Sequence, residues 1–79
     1  MKELLQFLAQ SLVNHPEQVE VRETQGESAS VLLELKVAKE DLGRIIGKQG
    51  RTAKSIRTIL NAAASRVNRK VMLDILEEK

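Results

Sequence analysis

Cysteine, tryptophan and tyrosine are absent from this 79-residue chain, and Phe7 is its one aromatic residue. Without cysteine there are no disulfides and no thiolate metal sites, a composition that fits a reducing compartment. Without a set of exposed aromatics there is no platform on which bases can stack, which excludes the aromatic-surface modes of single-strand binding. Phe7 falls among Leu4, Leu5 and Leu8 and is expected in the core. No apolar run approaches the ~18 residues of a membrane span. The start, Met1-Lys2-Glu3-Leu4-Leu5, lacks the apolar stretch and small-residue cleavage site of a secretion signal, so a cytosolic location is expected. Catalysis has little to work with: His15 is the sole imidazole, and no serine stands in a G-x-S-x-G setting. The adjacent carboxylates Glu40-Asp41 and Glu77-Glu78 read as surface and tail charge. Neither an enzyme nor a resident metal or cofactor is expected.

What is present is one small domain's worth of apolar residues, 42% of the chain, with charge unevenly spread. Net charge is only +2. From Lys39 to Lys70, however, nine Lys/Arg face two acids, giving +7, whereas residues 1–38 carry −3 and residues 71–79 carry −2. A strongly basic middle flanked by acidic ends is the footprint expected for a polyanionic partner.

The order of elements follows from periodicity. Leu4, Leu5, Leu8 and Leu12 predict an amphipathic helix over 1–14, ended by Asn14-His15-Pro16, because the residue before proline is pushed out of the α region. His15 is expected there as a cation near the helix's negative end. Alternation over 18–24 predicts a strand, Gln25-Gly26-Glu27-Ser28 a turn, and Ser30 to Val37 a second, more buried strand, together an antiparallel hairpin. A helix is expected from Ala38 through Leu42, Ile45 and Ile46, halted by Gly47. The longest helix runs from Gly50 to about Asn68, with Ala53, Ile56, Ile59, Leu60, Ala63 and Val67 on its core face and Arg51, Lys54, Thr58 and Asn61 opposite. Val71 to Leu76 reads as a final strand. The class is α+β, in the order α-β-β-α-α-β.

Between the last two helices lies Gly47-Lys48-Gln49-Gly50. Glycine tolerates positive φ and leaves room for a ligand against the main chain. A helix opening at Gly50 aims its free N–H groups and positive dipole end at the same place. With Arg44, Lys48, Arg51 and Lys54 nearby, the expected guest is a phosphodiester backbone. A nucleotide-binding P-loop is excluded, since three residues rather than four stand between Gly43 and Gly47 and Gln49 stands where a Ser or Thr belongs.

The segment D-L-G-R-I-I-G-K-Q-G-R-T-A-K-S-I-R, with its α-β-β-α lead-in, resembles a K-homology (KH) domain of the type II arrangement. More narrowly it is similar to the small bacterial single-KH RNA-binding proteins that partner a larger Jag-type KH protein. The resemblance covers essentially the whole chain, 1–79, as one domain. It implies a three-stranded sheet with helices packed on one face, and a GxxG loop that clamps about four nucleotides of single-stranded RNA. It further implies that Gly47 and Gly50 allow close approach and Lys48 and Gln49 meet phosphate oxygens. Arg44, Arg51 and Lys54 would widen the positive field, and Ile45 and Ile46 would build core and groove floor. Many KH motifs carry a large aliphatic residue where this chain has Ala53. That substitution implies weak base discrimination or a surface free for a partner, so Ala53 is expected at a homodimer interface or one with a second KH protein. The family implies an RNA chaperone or post-transcriptional regulator tied to cell-envelope growth and cell length. A module that mainly pairs with another KH protein, with RNA secondary, is the alternative.

Overall fold

Strand β2, Ser30–Lys36, occupies the middle of a three-stranded sheet in a computed structural model that describes residues 1–76. Its alternation is strict. Val31, Leu33 and Leu35 are buried, while Leu32, Glu34 and Lys36 turn to the other face. On one side it pairs antiparallel with β1, Glu20–Gln25, in a register that sets Val21 against Leu35 and Thr24 against Leu32. On the other it pairs parallel with β3, Lys70–Leu76, setting Val31 against Val71 and Leu35 against Ile75. Parallel neighbours need a long crossover. Here that crossover is helix α2, Leu42–Ile46, the glycine loop, and helix α3, Arg51–Arg66. The α+β order expected from the sequence is the order observed.

Helix α1, Lys2–Leu12, supplies Leu5 and Ala9 to the core, α2 supplies Ile45, and α3 supplies Ile56 and Leu60. All five join the inward residues of β2 in a single cluster, so the helices cover one face of the sheet. The other face stays open, with Met72 68% exposed. Among the described residues no helix is long and apolar enough to cross a membrane. Glu77 and Glu78, read from the sequence as tail charge, lie outside the described residues.

Several expectations are corrected by packing. α1 stops at Leu12, where Val13 is extended, and Pro16 opens a separate 3₁₀ turn. Phe7 is 68% exposed rather than in the core. Leu5 and Ala9 lie four residues apart on the buried face, and at ~100° per residue Phe7 sits roughly 200° from Leu5. The buried stripe of α3 is narrower than expected, comprising Ala53, Ile56, Leu60 and Ala64. Ile59 is 42% exposed on its flank, and Val67, 60% exposed, falls past the last helical residue. The residues expected to begin α2 form a 3₁₀ turn, Lys39–Asp41, with α2 proper starting at Leu42.

The largest correction is Asp41, expected at the surface and in fact fully buried. Its carboxylate accepts the backbone N–H groups of Asn14 at 3.1 Å and His15 at 2.9 Å. It also lies 2.9 Å from Nδ1 of His15. An ionised carboxylate only accepts, so Nδ1 carries the hydrogen. Asp41 thereby ties the turn that launches α2 to the exit from α1, and His15 serves this contact rather than a helix end.

The pair makes stability depend on pH in both directions. The hydrogen bond to Asp41 holds His15 above its ordinary 6.5 against the opposing effect of burial, helped by the charges of Asp41, Glu17 and Glu40. Burial pushes Asp41 up, but the hydrogen bonds from Asn14 and His15 outweigh it and hold the carboxyl below 3.8. A raised histidine pKa contributes stability that is complete below 6.5 and lost as pH rises through the folded-state value. A lowered aspartate contributes stability present above 3.8 and lost as pH falls through its folded-state value. The melting temperature is therefore expected to plateau between 3.8 and 6.5 and to fall on either side. His15→Gln should remove the alkaline fall. A wild-type melting curve that keeps rising from pH 6.5 upward would overturn this assignment.

Candidate nucleic-acid interface

The loop between α2 and α3 is built by three left-handed residues in four. α2 closes with the Gly47 N–H donating to the Gly43 carbonyl at 2.8 Å. Gly47 then adopts φ 75°, ψ 173°, a region open essentially to glycine alone. Gln49 follows at φ 58°, ψ 27° and Gly50 at φ 74°, ψ 12°, before Arg51 enters the right-handed helix. The Gly50 N–H reaches back to the Gly47 carbonyl at 3.1 Å and locks the turn.

The two glycines do different work. A Cβ on Gly47 would lie 2.8 Å from the Thr52 backbone nitrogen and closer still to that residue's side chain, so Gly47 serves close packing inside the chain. A Cβ on Gly50 would meet nothing within 4 Å, so the space beside Gly50 is open to a guest. Gln49, which is not glycine, pays about 1 kcal/mol for its left-handed backbone. Strain of this kind is held only where surrounding structure enforces it, here by a glycine on each side.

Lys48 and Gln49 are exposed at the tip, and Arg44, Arg51 and Lys54 are exposed around it. Among the described residues, none of these cations forms an ion pair with an acid. No side-chain oxygen caps α3 at Gly50, so the first N–H groups of this sixteen-residue helix, next to the loop, have no side-chain cap. Ile46 is half-buried. Ile45 is fully buried, so it fixes α2 from beneath and has no surface for a ligand. Ala53, expected at an interface, is 6% exposed and belongs to the packing of the chain itself.

Beyond the loop, a groove of about 260 Å³ runs between α3 and β3, lined by Arg57, Leu60, Asn61, Val71, Met72 and Leu73. β3 is an edge strand, so one row of its backbone donors and acceptors borders this groove without a strand partner. Arg57 and Met72 were not singled out from the sequence, and Asn61 was placed only on the outward face of the long helix. Arg57 had a legible signal, since it continues the Arg51, Lys54 spacing of three along one flank of the helix. Met72 had none, because only the sheet order makes its strand an edge. A larger hollow of about 530 Å³ lies by α1 and β1, but Glu20 and Glu34 stand in its wall and the glycine loop does not. That mixed charge suits a polyanion poorly.

Residues 2–75 match the KhpA/KhpB KH-domain family. An RNA-binding protein KhpA of Clostridium perfringens is 55% identical over 76 residues, covering 96% of this chain and 100% of the relative. That of Chlamydia pneumoniae is 52% identical over 79 residues, the full length of both chains. Among solved structures, Era in complex with MgGDPNP and nucleotides 1506–1542 of 16S ribosomal RNA matches at 24% identity with a TM-score of 0.63. The match covers 94% of this chain and 28% of the Era chain, and it speaks to the fold alone.

Proposed function

The chain belongs to the KhpA/KhpB KH-domain family, and from that premise we propose that it binds single-stranded RNA through the sugar-phosphate backbone with low sequence specificity. The observation that carries this reading is the left-handed run at Gly47, Gln49 and Gly50. It turns Lys48 and Gln49 outward over the uncapped start of α3 and leaves open space beside Gly50. Phosphates lie over this turn, held by charge and main-chain N–H groups, while bases enter the groove between α3 and β3. The groove offers Asn61 and the free edge of β3 for hydrogen bonds and Val71 and Met72 for apolar contact, over a floor of buried Leu60. No aromatic lines it, so base identity is read weakly. A protein with this grip acts in the cytoplasm as an RNA chaperone or post-transcriptional regulator, and the family resemblance ties that role to cell-envelope growth and cell length.

A second reading, association with another copy or with a larger KH protein, draws on exposed apolar groups on two helices. Phe7 is 68% exposed and Ile59 42%. A four-nucleotide clamp is weak, and pairing two of them raises effective affinity without new contacts. Both readings are separated by titrating wild-type protein into a random RNA pool over a range of salt, with sedimentation of the same samples. Binding at low salt that weakens steeply as salt rises supports the RNA reading. Dimers that retain no RNA at low salt would leave association as the function.

A further inference from the structure

Residues 51–70 contain six Lys/Arg and no acid, and these cations fall into two groups. Arg51, Lys54 and Arg57 occupy the first two turns of α3 beside the glycine loop. Arg66, Arg69 and Lys70 occupy its last turn and the exit into β3. Between the groups, Thr58, Asn61 and Ser65 are polar but uncharged. At a rise of ~1.5 Å per residue, Arg51 and Arg66 lie roughly 23 Å apart along α3, with a gap of about 14 Å between Arg57 and Arg66. The groove between α3 and β3 starts at Arg57 of the first group and reaches Val71, the residue after Lys70 of the second.

The far group is held in place by its local structure. The N–H groups of Val67 and Arg69 both donate to the Ala64 carbonyl, at 3.1 and 2.9 Å, and that of Asn68 to Ser65 at 3.2 Å. Asn68 takes a left-handed φ of 56°, which turns the chain sharply. The Lys70 N–H donates to the Ala29 carbonyl at 3.3 Å. Arg69 Nη1 donates to Oε1 of Gln25 at 3.1 Å, which aims the guanidinium while leaving most of its five N–H donors free. All three side chains are exposed, and none holds an ion pair with a described residue. A helix C-terminus favours one cation through its dipole. Three cations without an acid among residues 51–70, on a turn held by these hydrogen bonds, exceed what the dipole accounts for.

We propose that Arg66, Arg69 and Lys70 form a second phosphate-contact cluster, so that the RNA track runs the length of α3 from the glycine loop to the exit turn. The inference rests on the RNA reading above and extends it. At the stacked phosphate spacing of ~3.4 Å, a track of about 23 Å spans at most about seven phosphates, more than a four-nucleotide clamp contacts. The ligand is therefore single-stranded RNA longer than four nucleotides, with about eight as the upper bound, and four-nucleotide strands engage the loop end only.

The test compares oligouridylates of about four and about ten nucleotides by fluorescence anisotropy over a salt series. The variants are R66Q/R69Q/K70Q and the charge-keeping R66K/R69K. Wild-type protein should bind the longer strand more tightly and with a steeper salt dependence. The neutralised triple variant should lose about tenfold or more for the longer strand, and its salt slope should fall by about 2, at ~0.7 per single-strand phosphate contact. Its affinity for the short strand should be unchanged, and R66K/R69K should bind like wild type. Equal losses on both lengths, or no loss on the longer one, would overturn the proposal. If the triple variant fails to fold, R66Q/K70Q, which leaves the Arg69–Gln25 contact intact, makes the same comparison. Failure of the underlying RNA reading looks different, because wild-type protein would then bind neither strand.

Discussion

Lys48→Asp combined with Gln49→Asp is expected to remove most RNA affinity while the protein stays folded. The two side chains are exposed at the loop tip, so nothing in the core depends on them. The turn is enforced by Gly47 and Gly50, which the variant keeps. Aspartate is among the few residues that visit the left-handed region readily, so position 49 at φ 58° accepts it without added strain. Each phosphate contact that is lost or made repulsive should cost on the order of 1 kcal/mol or more, and two should lower affinity by roughly thirtyfold or more. The salt dependence should flatten as well, since fewer counterions are displaced from the RNA. Anisotropy titrations at two salt concentrations, with thermal melts as the folding control, read both effects. Unchanged affinity in a folded double variant would mean that phosphates do not lie over this loop.

The order of elements and the GKQG turn were legible because each rests on local pattern. Alternation in β2 and the break at Gly47 are properties of neighbouring residues. Asp41 was not legible. Beside Lys39 and Glu40 it looks like surface charge, and its partners Asn14 and His15 stand 27 and 26 residues away. Only the fold brings the exit of α1 against the start of α2. The same limit applies to Phe7, whose apolar neighbours in sequence are not its neighbours on the helix. On α3 a periodic stripe six residues strong marked a core face, yet the sheet contacts a narrower band. Ala53 and Ala64 lie within that band as buried small residues, while Ile59 remains on the flank. The groove belongs to the same class: Arg57 and Asn61 come from a helix and Met72 from an edge strand, and their meeting is a consequence of strand order. The motif pointed to a place for a backbone, and only tertiary packing brought the groove beside it into view.

Ile56→Ala should bring the protein close to unfolding, whereas Lys54→Ala, two residues earlier on the same helix, should not. Ile56 is 3% exposed and packs in the cluster that joins β2, α1 and Ile45 of α2. Truncating it removes buried methyl groups and leaves a cavity, which together amount to roughly 2–4 kcal/mol. A domain of this length has a total stability of only about 4–12 kcal/mol, so the variant should show a large fall in urea midpoint and melting temperature. Lys54 is exposed, and alanine is the better helix former, so its replacement should leave the melt nearly unchanged while weakening RNA binding. The contrast matters because α3 carries the core on one side and, in the proposed reading, the phosphate contacts on another. Measured in the cold, where the Ile56 variant is mostly folded, its RNA affinity should recover towards wild type, since Ile56 touches no ligand. That of Lys54→Ala should stay low at every temperature. The opposite pattern, with Lys54→Ala unfolding the chain and Ile56→Ala weakening only RNA binding, would place the core and the track on the wrong sides of this helix.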